Sequence, residues 1–273
     1  MKNKLLRNGV EMPEVGFGTW KAGETDGFAV LSEAIRAGYR HIDTASAYHT
    51  EEAVGRAVAA SGVDRSEFFI TTKAWKDQLG YDRTLAAFDA SCQALGMDYL
   101  DLYLIHWPRP DAACEEWKEL DRGSWRAMEE LYQSGRVRAI GVSNFKPHHL
   151  KALLEGPVKP MVDQIEFHPG YVQWETVEFC RASQILVEAW SPLGRQRLAD
   201  DPLLAELAGK YGGSQAQICL RFALDCGVVP LPKSADAGRM RQNLALDFAL
   251  EAEDLERLRT MPQTGWSGLH PDK

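Results

Sequence analysis

Short apolar runs recur along the whole chain, and most of them lack the alternation of a half-exposed strand. Eight runs stand out, at 15–19, 41–42 with its lead-in, 68–72, 99–105, 137–142, 161–165, 185–189 and 228–231. Continuous apolar runs of this length are typical of strands buried on both faces, as in a parallel sheet. We therefore predict eight buried parallel strands.

Amphipathic helical patterns separate these runs. Apolar residues recur three and four positions apart within 28–37, 85–95, 125–131 and 214–224, and Ser214 is a candidate N-cap. Glycines that could end helices in a left-handed conformation follow several of the patterns, at Gly38, Gly62, Gly96, Gly135 and Gly227. Eight alternating strand and helix units predict an α/β fold, a (β/α)8 TIM barrel.

The start of the chain has a different pattern. Asn8 and Gly9 lie between short apolar flanks, which is the strongest short signal for a tight hairpin. We expect an N-terminal β-hairpin that covers the bottom of the barrel, and one domain over residues 1–273. The alternative is a doubly wound open sheet, which usually begins with G-x-G-x-x-G. Gly16 and Gly18 start that pattern, but Lys21 stands where the third glycine belongs.

Composition and net charge limit the classes of molecule that the protein is expected to bind. Among 273 residues, 45% are hydrophobic and 26% are charged, as in folded soluble proteins, and no run of about eighteen apolar residues predicts a membrane span. A net charge of -8 argues against a nucleic-acid or membrane surface. The five cysteines form no C-x-x-C pair, which suits a reducing compartment. We expect a cytoplasmic protein that acts on a small molecule.

Polar residues follow three neighbouring strands at their ends. Asp43 ends the second predicted strand, Lys73 the third and His106 the fourth, and Tyr48 lies five residues beyond Asp43. Since active sites of such barrels form at the carboxyl ends of the strands, we expect these four residues to meet.

This combination suits proton delivery to an oxygen. The ordinary pKa of tyrosine is about 10, and a lysine ammonium nearby is expected to lower the pKa of Tyr48, while Asp43 holds Lys73 in place. Tyr48 could then act as a general acid, and a neutral His106 could orient the same substrate oxygen. A proton donor without a nucleophile or a metal indicates carbonyl reduction.

The chain resembles the aldo-keto reductase family, and within it the bacterial 2,5-diketo-D-gluconic acid reductases. The family's motifs occur in order as G-Y-R-H-I-D-T-A at 38–45, the lysine of 70–73, L-I-H-W-P at 104–108, G-V-S-N-F at 141–145, Q-I-E-F-H-P at 164–169, W-S-P-L-G at 190–194 and L-P-K-S at 231–234. Four positions depart from the pattern. Thr50 stands before Glu51 where many relatives have Asn, Asp163 stands where Asn is usual, Trp190 stands where many relatives have Tyr, and Gln242 replaces a commoner Glu.

The resemblance implies NADP(H) as cofactor, bound in extended form without a Rossmann fold. It implies that Ser143, Asn144 and Gln164 hydrogen-bond the nicotinamide carboxamide and that Trp190 stacks on the ring. Lys233 and Arg239 would grip the adenosine 2′-phosphate with Ser234. The full implied set is Gly18, Thr19, Trp20, Asp43, Ser143, Asn144, Gln164, Trp190, Ser191, Leu193, Gly194, Lys233, Ser234, Arg239, Gln242 and Asn243.

The resemblance also implies the substrates, which are small aldehydes, ketones or dicarbonyls such as diketo-sugar acids or methylglyoxal. We expect a monomer, with no metal and with a pocket lined by Trp20, Tyr48, Trp75, His106, Trp107 and Trp266. One alternative is a non-catalytic barrel that binds NADPH and regulates a partner.

The other alternative is a metal-dependent barrel hydrolase using His41, Asp43, His106 and His168, although no H-x-H or H-E-x-x-H pattern supports it. We expect the side chain of His41 to alternate away from Asp43 and to support the site without touching substrate, and we expect His168 to be structural.

Overall fold

The computed structural model describes residues 2–24 and 26–273, and its strands follow the predicted order. Each of the eight predicted apolar runs overlaps a strand, so the strand prediction is confirmed. The strands are β1 Asn3–Leu5, β2 Glu11–Pro13, β3 Phe17–Gly18, β4 His41–Asp43, β5 Phe69–Ala74, β6 Leu100–Ile105, β7 Val137–Ser143, β8 Val162–Glu166, β9 Leu186–Trp190 and β10 Val229–Pro230. β3 to β10 form one parallel sheet in which each strand pairs with the next in the chain.

The first and last strands of this sheet meet and close it. The Gly16 amide donates to Pro230 O at 3.0 Å, and the Gly18 amide donates to Pro232 O at 3.1 Å. A Cβ atom on Gly16 would lie 2.5 Å from Leu231 Cδ2, so only glycine allows this approach. The closed parallel sheet confirms the (β/α)8 barrel and excludes the doubly wound open sheet.

The N-terminal hairpin is confirmed as well. β1 and β2 pair antiparallel, and the Gly9 amide donates to Leu6 O across the turn. Asn8 Nδ2 donates to Arg138 O near the start of β7, at 2.9 Å. Because this carbonyl lies at the amino end of a barrel strand, the hairpin lies at the bottom of the barrel, as expected.

Helices connect the barrel strands. They are α1 Gly27–Ala37, α2 Glu51–Ala60, α3 Tyr81–Leu95, α4 Trp117–Gln133, α5 Pro147–Leu153, α6 Trp174–Ala182, α7 Pro202–Tyr211, α8 Gln215–Asp225, α9 Ala237–Leu244 and α10 Ala252–Arg259. Ser214 caps α8 as predicted, since Ser214 Oγ accepts from the Gln217 amide. The five glycines predicted to end helices all have left-handed φ values, for example 110° at Gly38.

Two helices begin earlier than their apolar pattern indicated. α3 starts at Tyr81 and α4 at Trp117, whereas the periodicity began at 85 and 125. The first turns of α4 carry Lys118, Glu119 and Arg122 on the outside, so apolar spacing alone could not detect them.

The apolar core lies inside the barrel and between its strands and the surrounding helices. Every residue of β5 and β6 is buried. The five cysteines are free, and all except Cys114 are buried. None of the described helices combines the length and the apolar composition that a membrane span needs.

Candidate active site

The four predicted catalytic residues meet at the carboxyl ends of β4, β5 and β6. Lys73 Nζ donates to Asp43 Oδ1 at 2.7 Å and to Thr44 O at 2.8 Å, and it lies 5.0 Å from the centre of the Tyr48 ring. The Tyr48 hydroxyl lies 3.2 Å from His106 Nε2. The prediction that these four residues meet is confirmed. We call them the catalytic cluster, after the role proposed for them below.

A short helical turn brings Tyr48 back to the barrel rim. The turn spans Ser46–Tyr48, and Ser46 Oγ donates to Lys73 O at 3.1 Å, which fastens the turn to β5. Thr50 Oγ1 then contacts Thr44 Oγ1 at 2.8 Å and Thr19 Oγ1 at 2.9 Å. These contacts fix the tyrosine above the buried ammonium.

Burial and the charges around Tyr48 act on its pKa in different directions. Burial raises the pKa of Tyr48 above its ordinary value, whereas Lys73 lowers it and Asp43 raises it. Lys73 acts in the direction that the sequence predicted, but the predicted net lowering of the pKa is wrong because desolvation outweighs the ammonium. The hydroxyl stays protonated at neutral pH, so it is able to give up a proton.

Lys73 itself stays charged although no part of it is exposed. Burial opposes the charge, but Asp43 and Tyr48 favour it, and the pKa of Lys73 is raised overall. Such a pair is stable only because both members are hydrogen-bonded.

His106 is neutral, and its surroundings determine which of its two ring nitrogens carries the hydrogen. Burial lowers its pKa well below the ordinary value, and Lys73 and Lys76 add to this effect. His106 Nδ1 is buried without a partner among the described residues. Because an unpaired N–H costs more than an unpaired lone pair, the hydrogen belongs on Nε2, facing Tyr48. The predicted neutral imidazole is thus available as a hydrogen-bond donor.

Glu188 is a member of this site that sequence reasoning missed. Gln164 Nε2 donates to Asp43 Oδ2 at 2.8 Å and to Glu188 Oε2 at 3.0 Å. Glu188 is fully buried. A carboxyl residue inside the otherwise apolar run 185–189 was the signal that could have identified it.

Ser143, Asn144 and Trp190 form a second linked group beside Gln164. Asn144 Nδ2 donates to His106 O at 2.9 Å, and Ser143 Oγ donates to Gln164 O at 2.8 Å. Trp190 Nε1 donates to Asn144 Oδ1 at 2.8 Å. The three residues therefore stand next to the catalytic cluster, and Asn144 fixes the orientation of the indole.

The loop after β9 brings an arginine over two tryptophans. Arg195 lies 4.6 Å from the centre of the Trp20 ring and 5.3 Å from that of Trp190, and its Nε donates to Ser191 Oγ at 3.1 Å. No pattern in the sequence predicted this placement, because it depends on left-handed φ angles of 49° at Ser191 and 52° at Arg195. Leu193 and Gly194 lie in the same loop. Gly18 ends β3, and Thr19 follows it with its hydroxyl 2.9 Å from that of Thr50.

Residues 233–239, which we call the 233–239 segment, follow the last strand. Ser234 is buried, whereas Lys233 and Arg239 are exposed. Ser234 Oγ accepts from the Asp236 amide at 3.0 Å and lies 3.5 Å from Arg239 Nε. The Ser234 hydroxyl and Arg239 thus lie at the start of α9, a helix end that favours anions, and Lys233 precedes them in the chain. Asp236 caps this helix through the Arg239 amide.

Gln242 and Asn243 lie further along α9 and differ in exposure. Gln242 is exposed, and Asn243 is buried beside the hydroxyl of Tyr39.

The predicted pocket tryptophans occupy different depths. The Trp75 ring lies 4.8 Å from that of His106, and Trp20 is 42% exposed at the rim. Trp107 is buried beneath Lys76. Trp266 lies in the C-terminal tail, where it stacks on Tyr171 with ring centres 5.9 Å apart.

The tail is held at the carboxyl end of the barrel, because Ser267 Oγ donates to Glu166 Oε2 at the end of β8 at 2.7 Å.

The expectation that the His41 side chain points away from Asp43 is wrong. Residues two apart on a strand share a face, so His41 points into the barrel like Asp43. His41 Nε2 lies 3.4 Å from Glu188 Oε1. His168 Nδ1 lies 2.8 Å from Pro169 O, and its Nε2 lies 3.4 Å from Glu166 Oε1.

The residues named for the hydrolase alternative therefore contact different partners. Within the described part of the chain, the one group with ligand atoms close enough for a metal ion is His148, His149 and Asp272.

The sequence matches the model of the aldo/keto reductase family over residues 14–261. The chain belongs to this family. The motifs from residue 38 to residue 234 thus identified the family correctly.

Several proteins similar to this chain are named as reductases. The chain is 45% identical over 271 residues to glyoxal reductase of Bacillus subtilis, a match that covers 98% of this chain and 95% of the relative. It is 41% identical to methylglyoxal reductase DkgA of Salmonella typhimurium, over 98% and 96% of the two chains. A crystal structure of an aldo-keto reductase complexed with NADPH has a TM-score of 0.91 and 33% identity, covering 99% of this chain and 90% of that one.

Proposed function

We propose that this chain uses NADPH to reduce the carbonyl group of small aldehydes, ketones and dicarbonyls to an alcohol. The observation that carries the proposal is the Tyr48 hydroxyl 3.2 Å from His106 Nε2, above the buried Lys73 and Asp43 pair. A substrate oxygen placed between the hydroxyl and the imidazole N–H would receive two hydrogen bonds. Both donors are neutral and carry their hydrogen, so both can donate without first exchanging a proton with solvent.

In the proposed reaction, Tyr48 gives its proton to the carbonyl oxygen. Lys73, 5.0 Å from the tyrosine ring, stabilises the tyrosinate that forms, and Asp43 keeps Lys73 charged. His106 holds the oxygen in line with the hydroxyl. When bound, NADPH supplies the hydride that adds to the carbonyl carbon.

The residues present fit that cofactor. Gln164 Oε1 accepts none of the hydrogen bonds of the described residues, so it is free to accept from the nicotinamide carboxamide. Trp190 has a flat face of fixed orientation for the ring. At the other end, Lys233, Ser234 and Arg239 match the charge of the 2′-phosphate, with Gln242 and Asn243 proposed for the adenine and Leu193 and Gly194 for the pyrophosphate.

The substrate range follows from the pocket and from the relatives. Trp20, Trp75, Trp107 and Trp266 supply apolar walls, and the relatives named for glyoxal and methylglyoxal favour small dicarbonyls. We propose that the chain works in the cytoplasm as a monomer, with residues 1–273 as one domain. The buried free cysteines suit a reducing compartment.

The test is NADPH consumption by the purified chain with glyoxal, methylglyoxal, a diketo-sugar acid and an aromatic aldehyde. We expect consumption with dicarbonyls, unaffected by a chelator. Binding of NADPH without consumption on any carbonyl would favour the non-catalytic alternative. Activity lost on chelation would contradict the metal-free mechanism.

A further inference from the structure

A chain of polar contacts runs through the barrel interior from the hairpin to the catalytic cluster. It begins at Pro13 O, 3.4 Å from His41 Nδ1, and continues from His41 Nε2 to Glu188 Oε1 at 3.4 Å. Glu188 Oε2 accepts from Gln164 Nε2, which also donates to Asp43. The mechanism above uses Asp43 and Gln164 but leaves Glu188 without a role.

The contacts of His41 determine where its hydrogen lies. Pro13 O only accepts, so His41 Nδ1 carries the hydrogen, and Nε2 offers a lone pair. Burial lowers the pKa of His41 to about 3, which keeps the ring neutral. His41 Nε2 thus needs a donor, and Glu188 Oε1 and the Thr71 hydroxyl, at 3.5 Å, are the groups that approach it.

A protonated Glu188 satisfies this arrangement. Glu188 Oε1 is buried without a hydrogen-bond partner among the described residues, and as an O–H it would be able to donate to His41 Nε2, 3.4 Å away, while Oε2 accepts from Gln164. Burial raises the pKa of Glu188 to about 8, and the charge of Asp43 acts in the same direction. The titratable groups that face Glu188 are His41 and Asp43 from β4 and Lys73 from β5. A neutral carboxyl avoids a second buried negative charge beside Asp43.

The orientation of the Gln164 amide follows from its two acceptors. Both hydrogens of Gln164 Nε2 are donated, one to Asp43 and one to Glu188, so the amide cannot be reversed without placing its oxygen against a carboxylate. No described residue donates to Gln164 Oε1, and this atom is not completely buried, so it borders open space. That oxygen is the one offered to the nicotinamide carboxamide.

We propose that Glu188 is a positioning residue of this reductase, a protonated carboxyl that fixes the Gln164 amide so that its oxygen faces the nicotinamide. The inference rests on the proposed function, since it needs NADPH in this pocket. Glu188 itself touches neither cofactor nor substrate.

The protonation state is tested by thermal unfolding of the full chain as a function of pH, for wild type and Glu188→Gln. An unfolded glutamate ionises near its ordinary pKa of 4.5, whereas the folded one keeps its proton up to about 8. Wild type therefore loses stability relative to Glu188→Gln as the pH rises between these values. We expect equal Tm values near the lower value and a higher Tm for the variant near the upper one. A difference that does not change with pH would overturn the protonated carboxyl.

The positioning role is tested by calorimetric titration with NADPH near neutral pH. Glu188→Met removes one acceptor of the Gln164 amide, and we expect the Kd for NADPH to rise about tenfold. Glu188→Gln offers the same acceptor and donor, so we expect its Kd to stay within about twofold of wild type. Adenosine 2′,5′-bisphosphate lacks the nicotinamide, and its affinity should be equal in all three proteins.

Control measurements distinguish a failure of the positioning role of Glu188 from a failure of the proposed function. Asp163 is equally buried and next to Gln164, but it contacts Cys180 Sγ on α6, so Asp163→Asn should leave the NADPH affinity unchanged. Equal NADPH affinity in Glu188→Met and wild type would overturn the positioning role while carbonyl reduction stands. Loss of affinity for the bisphosphate as well would show general damage by Glu188→Met and would equally overturn the specific role. Absence of reductase activity in wild type would instead refute the proposed function.

Discussion

The catalytic cluster and the 233–239 segment both bring cations to the proposed cofactor path, but they do so in different environments. Lys73 is fully buried and held by Asp43 and by the Thr44 carbonyl. Lys233 is exposed, and it directly precedes Ser234 in the chain, shortly before α9 begins. A buried cation has its position and charge fixed before any ligand arrives, whereas an exposed one gains a defined partner only on binding. This difference supports our proposal that the first region carries the chemistry and the second recognises the cofactor.

The largest expected effect is on turnover, from Tyr48→Phe. The ring and its packing on His106 remain, but the proton donor is lost, so we expect carbonyl reduction to fall by about 10²- to 10⁴-fold. Affinity for NADPH, measured by titration, should be retained. Full activity in this variant would rule out Tyr48 as the acid.

The second effect is on stability, from Lys73→Met compared with Lys233→Met. Lys73→Met leaves the Asp43 carboxylate buried without its cation, which is expected to cost about 3–5 kcal/mol of the free energy of unfolding. Denaturant unfolding measures this loss. Lys233→Met is the matched control, and it should unfold like wild type. Equal free energies of unfolding for the two variants would show that the buried Lys73 and Asp43 pair contributes no more to stability than an exposed lysine does.

The third and smallest effect is on cofactor choice, from Lys233→Met combined with Arg239→Ala. Removing two contacts to a phosphate is expected to weaken NADPH binding by about 10- to 100-fold and to leave NADH binding unchanged. Affinities for both cofactors, measured in parallel, give the ratio. An unchanged ratio would contradict the assignment of the 2′-phosphate to this segment. The proposed role of the catalytic cluster would stand in either case.

The sequence predicted the regular parts of the molecule because their signals are local. Buried strands show as apolar runs, and Gly38 shows as a left-handed end of a helix. Asp43, Lys73 and His106 were found because a residue at a strand end has a known place in a barrel.

The environment inside the barrel was harder to predict because it depends on several strands at once. The net pKa direction of Tyr48 was wrong because the sequence does not give the extent of its burial. Glu188 gains its partners from β4 and β8, which are far from it in the chain. The place of Arg195 depends on the conformation of a loop, for which apolar spacing has no signal.

The closure between Gly16 and Pro230 has a consequence for how the chain becomes functional during synthesis. The two residues are joined by a backbone hydrogen bond, and the second bond, from Gly18, ends at Pro232, directly before Lys233. Contacts between such distant residues carry a high entropic cost of loop closure and form late in folding. A ribosome-bound chain that lacks this last strand would contain the residues of the catalytic cluster but would lack those that we propose for the adenosine end of the cofactor. Ability to bind NADPH would then appear only after the last strand and the 233–239 segment have been made.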